Sequence, residues 1–280
     1  MLQNSIELLK NARNSKCCVP AFNVYNLETI TAAFSAAKKT EAPVIIAFGE
    51  SYLKYASFDT ISAIVRSLDK AHPFPVVLHL DHCKEPDNIK EAISSGFTSV
   101  MYDGSALPFE ENIENSRSIV EYAHSQNVSM EGELGKLNEE GGAEGLKPAQ
   151  DDYTDPDKAF EYVTRTRIDS LAVSVGNAHG LYHGIPHLAL GRLSEIYDKT
   201  RIPLVLHGGS GIPDVQVLKA IDIAIAKINF NTELQLAGTR AIAEVLDSED
   251  HRTCRMEKLT SEAQKQITST MESIILQVYK

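Results

Sequence analysis

Three of the nine histidines directly follow or close short apolar runs, each beside other groups that carry chemistry. They occur in Leu80-Asp81-His82, in Gly176-Asn177-Ala178-His179-Gly180 and in Leu206-His207-Gly208-Gly209-Ser210-Gly211. Singly, such a histidine is more often a hydrogen-bonded structural residue than a ligand. Three imidazoles brought to one rim match a catalytic zinc site, in which three protein donors leave a fourth position open. Asp81 precedes one of them, and along a continuing strand neighbouring side chains point to opposite faces. Both reach one site only if the strand ends there, so the sequence predicts that it does. A carboxylate in that place either orients a partner or moves a proton, and position alone leaves both roles open. Gly208 to Gly211 and Asn229-Phe230-Asn231-Thr232 supply glycines and short polar side chains that let backbone N–H groups approach a phosphate. His79 falls inside an apolar run, and His72, His124, His183, His187 and His251 fall in helical or loop segments. These six read as structural or solvent residues.

Such a site needs a scaffold that gathers distant strand ends. Short β-rich runs recur near residues 18–22, 43–48, 75–80, 98–102, 128–133, 170–175, 203–206 and 226–229, with helical stretches between them. Val44-Ile45-Ile46-Ala47-Phe48 and Leu171-Ala172-Val173-Ser174-Val175 are nearly continuous in apolar character, as parallel strands covered on both faces are. Pro86 stands at a first helical position and Gly96 closes that segment; Asp155-Pro156 opens another helix, and Phe109, Ile113, Val120 and Ala123 keep one stripe apolar. Strand-then-helix units with right-handed crossovers close most naturally into an α/β fold of the (β/α)8 TIM-barrel type, a doubly wound open sheet being the alternative. In such barrels the site lies at the carboxyl ends of the strands, and the loops after the last two strands commonly bind phosphate. Leu134 to Tyr153, rich in glycine and charge, exceeds the about 12–15 residues of an ordinary connection and reads as a lid over that face, or as a surface insertion.

The 280 residues are 43% hydrophobic and 23% charged, which suits one barrel domain over the whole chain with a helical extension from about 250 to 280. Lys and Arg number 27 against 38 Asp and Glu, a net charge of −11 that speaks against nucleic acid and anionic membranes as partners. An anionic substrate therefore needs a local positive field, from a metal and from backbone dipoles. No stretch approaches the roughly 18 apolar residues of a membrane span, and residues 1–16 read as an amphipathic helix and not a signal peptide, so a cytoplasmic location is expected. Cys17, Cys18, Cys83 and Cys254 have neither a thiolate-zinc spacing nor a disulfide framework.

Leu80-Asp81-His82, Glu131-Gly132-Glu133-Leu134-Gly135, Ala178 to Tyr182, Leu206 to Gly211 and Lys227-Ile228-Asn229 to Glu233 together resemble the class II, zinc-dependent fructose- and tagatose-bisphosphate aldolases, from about Pro20 to Leu236. The resemblance implies zinc on His82, His179 and His207, with Asp103 and Glu133 at acidic positions where a second or displaced metal sits. It implies Asp81 as the acid/base at the substrate's C4 hydroxyl. Glu140 is implied as the acid/base of the three-carbon enediolate, with Glu139 as its alternative. It places Asn23, Gly180, Gly208, Gly209, Ser210, Asn229, Asn231 and Thr232 on the sugar phosphate, a monovalent cation (Na+ or K+) near that phosphate, and a homodimer or homotetramer. The expected reaction is aldol cleavage of a ketose 1,6-bisphosphate to dihydroxyacetone phosphate and glyceraldehyde 3-phosphate, and the His179 to Tyr182 segment inclines toward the tagatose branch. Three departures stand out: Gly135-Lys136-Leu137-Asn138 where relatives carry a Gly-Gly pair, Gly49 where many carry Ser or Thr, and a tail without the usual Asp-Pro-Arg. No arginine is therefore assigned to the far phosphate. Two other readings are a Schiff-base enzyme using Lys227 and a non-catalytic metal- or sugar-phosphate-binding barrel.

Overall fold

The computed structural model describes residues 2–135, 153–180, 182, 184–249 and 253–279. Strands β1 (Val19–Asn23), β2 (Val44–Gly49), β3 (Val76–Cys83), β4 (Ser99–Tyr102), β5 (Ser129–Leu134), β6 (Ser170–Val173), β7 (Leu204–Leu206) and β8 (Ile225–Phe230) pair in sequence order, all parallel. β8 returns to β1 and closes the barrel, so the (β/α)8 fold holds and the open sheet does not. The strands are buried almost throughout because helices cover their outer face and side chains fill the inner one.

The chain enters through α1 (Ile6–Asn14), and the covering helices are α2 (Leu27–Thr40), α3 (Phe58–Asp69), α4 (Pro86–Ser95), α5 (Phe109–Ser125), α6 (Pro156–Thr166), α7 (Leu190–Thr200), α8 (Asp214–Ile223) and α9 (Thr232–Ser248). α10 (Met256–Val278) then packs on α2 and α9. Local chemistry sets their ends. Asn26 and Thr29 form a reciprocal capping box on α2, Asp155 accepts from Asp157 N and Lys158 N with Pro156 next in line, and Gly96 ends α4 in the left-handed conformation. Among the described residues no helix is long and apolar enough to cross a membrane.

Inside the barrel, Val19, Ala21, Ile45, Ala47, Val77 and Ala226 pack with Leu9 and Ala12, so α1 plugs the amino end. Two irregularities lift polar side chains above that plug. β8 carries one extra residue against β7, since Leu204 pairs with Ile225 but Val205 with Lys227. β3 carries one against β4 between Leu80 and Cys83.

The second irregularity corrects the expectation for Asp81 and His82. The strand continues to Cys83, and His82 takes a left-handed backbone with φ of +46°. A bulge with one residue at positive φ breaks the alternation of a strand, so Asp81 and His82 both line the cavity although neither ends it.

Candidate metal centre and its cavity

A cavity of about 680 Å³ opens at the carboxyl ends of the strands. β3 supplies Asp81 and His82, the β4 end Asp103, β5 Glu133, the loop after β6 His179 and Gly180, and β7 runs into His207. His82, His179 and His207 each offer one donor atom, all within 4.8 Å of one another, and His82, Asp103 and Glu133 form a second such group. Ring centroids of His82 lie 4.7 Å from His179 and 4.4 Å from His207. His82 Nδ1 stands 3.5 Å from Asp103 Oδ2 and 3.6 Å from Glu133 Oε2.

The donors fit a cation. His179 Nε2, His207 Nδ1 and Glu133 Oε2 are buried without a hydrogen-bond partner. Each such atom costs about 1–3 kcal/mol unless something outside the chain satisfies it. Cys83, next to His82, gives its Sγ to Glu50 Oε1 at 3.1 Å and takes no part in the cluster.

Electrostatics point the same way. Burial lowers His179 to about 3, helped by the charge of His82 and His207, and burial with His82 and Lys227 lowers His207 against the pull of Glu131. Burial also opposes charge on His82, but Asp81, Asp103 and Glu133 outweigh it and push this imidazole up to about 9. Glu133 is pushed up to about 8 by burial and by Asp103, Glu131 and Asp81, against the pull of His82. Asp81 is buried too, yet His82, His207 and Lys227 hold it well below the ordinary carboxylate range. Four carboxyl groups crowd a space in which two of the three imidazoles, His179 and His207, resist protonation, which is an environment for a divalent ion.

Asp81 is pinned from two strands: Asn23 Nδ2 donates to Oδ2 at 2.8 Å and Asn229 Nδ2 to Oδ1 at 2.9 Å. Asn177 Nδ2 donates to His207 O at 3.0 Å, and Tyr182 bridges the same loops, accepting from Ala178 N and donating to Gly208 O, both at 2.9 Å. Gly208 has φ of +64°, and a Cβ there would meet Ala178 O at 2.0 Å, so only glycine fits this approach. Gly180, Gly208, Ser210, Asn229, Asn231 and Thr232 line the cavity. Gly209 does not: its N–H donates to Asn229 O at 3.0 Å, and a Cβ there would meet Ile228 at 2.4 Å. It packs closely on β8. Glu139 and Glu140, with the rest of 136–152, lie outside the described residues; the flanks are tied by Thr154 Oγ1, which donates to Leu134 O and accepts from Ser174 N at 2.8 Å.

Reading by residue type passed over Glu131, although its spacing of two from Glu133 puts both on the inner face of β5. His79, read as structural, is buried in the network beneath the cluster, with Nδ1 2.8 Å from Ser99 Oγ. Lys227 is buried, bonds both oxygens of Glu131 and does not line the cavity, which removes the free amine that Schiff-base chemistry needs. Ser51, Tyr52, Lys84 and Ser105 also line the cavity, the first two on a 3-10 turn after β2, and carried no sequence signal.

Comparison with known proteins places this geometry. The family described as fructose-bisphosphate aldolase class-II matches residues 3–279. The chain is 43% identical over 244 residues to a fructose-bisphosphate aldolase of Geobacillus stearothermophilus, covering 86% of this chain and 84% of that one. A Staphylococcus epidermidis fructose-bisphosphate aldolase is also 43% identical, over 87% of this chain and 85% of its own. Among solved structures, the YdjI aldolase of Escherichia coli K12 superposes with a TM-score of 0.88 at 34% identity, covering 100% of this chain and 98% of that one.

Proposed function

The chain belongs to the class II fructose-bisphosphate aldolase family, and on that premise we propose that it reversibly cleaves fructose 1,6-bisphosphate into dihydroxyacetone phosphate and glyceraldehyde 3-phosphate. It is an aldehyde-lyase. The observation that carries the reading is the meeting of three imidazoles beside Asp81, with two of their nitrogens lacking partners. We assign zinc to His82, His179 and His207, because imidazole donors without thiolates and with an open position suit catalytic zinc. When bound, the ion supplies a Lewis acid that stabilises the charge left on the three-carbon fragment as the C3–C4 bond breaks. Asp103 and Glu133, with His82, offer a second metal position.

Asp81 takes the C4 hydroxyl proton. The cationic groups around it keep it ionised, and the Asn23 and Asn229 amides fix its direction, so the base is oriented before substrate arrives. Glu140, or Glu139 beside it, returns a proton to the enediolate. Asn23, Gly180, Gly208, Gly209, Ser210, Asn229, Asn231 and Thr232 bind the sugar phosphate, Gly180 and Gly208 by exposing backbone N–H groups, and Asn23 and Asn229 also hold Asp81. A monovalent cation, Na+ or K+, completes that phosphate site, and the working form is a cytoplasmic homodimer or homotetramer. Fructose takes precedence over tagatose because the most similar relatives named above are fructose-bisphosphate aldolases.

A coupled assay of triose phosphate release, run with both ketose bisphosphates before and after chelation, tests the proposal. Cleavage indifferent to metal removal would sink the mechanism, and faster cleavage of tagatose bisphosphate would reverse the sugar assignment.

A further inference from the structure

Lys227 and Glu131 lie beneath the imidazoles, and the cleavage chemistry uses neither. They are 1% and 2% exposed and do not line the cavity. Lys227 Nζ donates to Glu131 Oε1 at 3.0 Å and Oε2 at 2.8 Å, and stands 3.4 Å from His79 Nε2. Glu131 Oε1 lies 2.8 Å from His207 Nε2. The chain Ser99–His79–Lys227–Glu131–His207 thus crosses the barrel interior through β4, β3, β8 and β5 to the end of β7.

As a stabilising device this pair is poor. Removing two charges from water costs several kcal/mol per ion, and apolar replacements of similar volume are often as stable or more so. The same interior accepts an apolar filling elsewhere, where Met101, Ala172 and Val205 pack together. What a carboxylate does here, and an apolar side chain would not, is accept a hydrogen bond from His207. Glu131 is paired through both oxygens with an ammonium, so it only accepts. His207 therefore carries its hydrogen on Nε2, which leaves the lone pair on Nδ1, the buried nitrogen without a partner.

We infer that Lys227 and Glu131 are a positioning pair: Lys227 holds the Glu131 carboxylate in place through both oxygens, and Glu131 fixes the tautomer and ring direction of His207 so that Nδ1 faces the metal position. Outer partners of this kind fix ligand orientation and raise ligand basicity. The inference rests on the metal reading above. It also gives the buried lysine a role without an imine.

Two measurements test it. In metal-free wild-type protein labelled with 15N-histidine, long-range 1H–15N correlations report the tautomer of His207; the Nε2–H form is expected, and the Nδ1–H form would overturn the inference whatever the metal does. Second, zinc affinity is measured by chelator competition, and the ligand-field spectrum with Co2+, for wild type, K227M and E131Q/K227M. The double variant keeps the shape while removing both charges, so it is expected to fold as well as wild type, yet to bind zinc about 10- to 100-fold more weakly with a shifted Co2+ spectrum. Wild-type affinity and an unchanged spectrum in that variant would show the pair to be structural only. Should the double variant not fold, the tautomer decides. Failure of wild type to bind zinc would instead sink the metal reading, leaving the tautomer result standing by itself.

Discussion

At the amino end of the barrel, Val77 of β3 meets Ile45, Val19 and Ala226, with Leu9 and Ala12 pressed in from α1. Two residues along the same strand stands His79, and two further Asp81, both buried, and there the interior is filled with imidazoles, carboxylates and an ammonium. A strand alternates faces, so each step of two climbs one layer of the same interior. Apolar side chains below satisfy one another. Above, Glu133 Oε2, His179 Nε2 and His207 Nδ1 have no hydrogen-bond partner. One scaffold thus separates a layer that holds the fold from a layer that is incomplete without what it binds, and the lower layer bears the cost of the upper.

The sharpest way to break this comparison is metal removal. Chelation is expected to abolish cleavage and zinc to restore it, while far-ultraviolet circular dichroism stays that of a folded barrel; loss of secondary structure along with activity would show the upper layer to be part of the fold. Next in size, Asp81→Asn is expected to lower kcat by about 100- to 10,000-fold, the contribution of a positioned acid/base. Its Tm should fall only modestly, since the change removes a carboxylate that its cationic neighbours and the Asn23 and Asn229 amides hold ionised, while the apolar plug below is untouched. A drop in Tm matching the drop in rate would contradict the division of labour. Below the site, Leu9→Ala is expected to cost about 2–5 kcal/mol in urea unfolding with kcat/KM unchanged, because it opens a cavity in the apolar plug. The smallest effect is expected of Tyr182→Phe, which leaves Gly208 O and Ala178 N without their shared hydroxyl and costs about 1–3 kcal/mol. That loss should appear as a raised KM for the bisphosphate more than as a lowered Tm, because Tyr182 ties the phosphate-side loops and not the core.

The strands and a few helix ends were legible in the sequence because they follow local rules. Continuous apolar runs mark strands covered on both faces, and Pro86, Gly96 and Asp155 act on backbone groups within four residues. The donors His82, His179 and His207 were legible as residues that close strand runs. The manner in which Asp81 and His82 share a site was not: a strand end and a bulge put the same letters in the same order, and only the pairing of β3 with β4 tells them apart. Glu131 escaped notice because its meaning depends on Lys227 and His207, 96 and 76 positions away. Gly209 was legible as part of a glycine run, but its close packing against Ile228, which a Cβ would meet at 2.4 Å, was not.

Sequence by itself determined the alternation of apolar runs and helices, the acidic balance, and the identity of the groups available to bind metal and move protons, since all of these are properties of residues and their near neighbours. Only the closing of β8 onto β1 decided which of those groups meet, which nitrogen of His207 remains free, and which carboxylates stay charged. Those outcomes depend on burial and on charges a few ångströms apart in space, and distance along the chain carries no record of either.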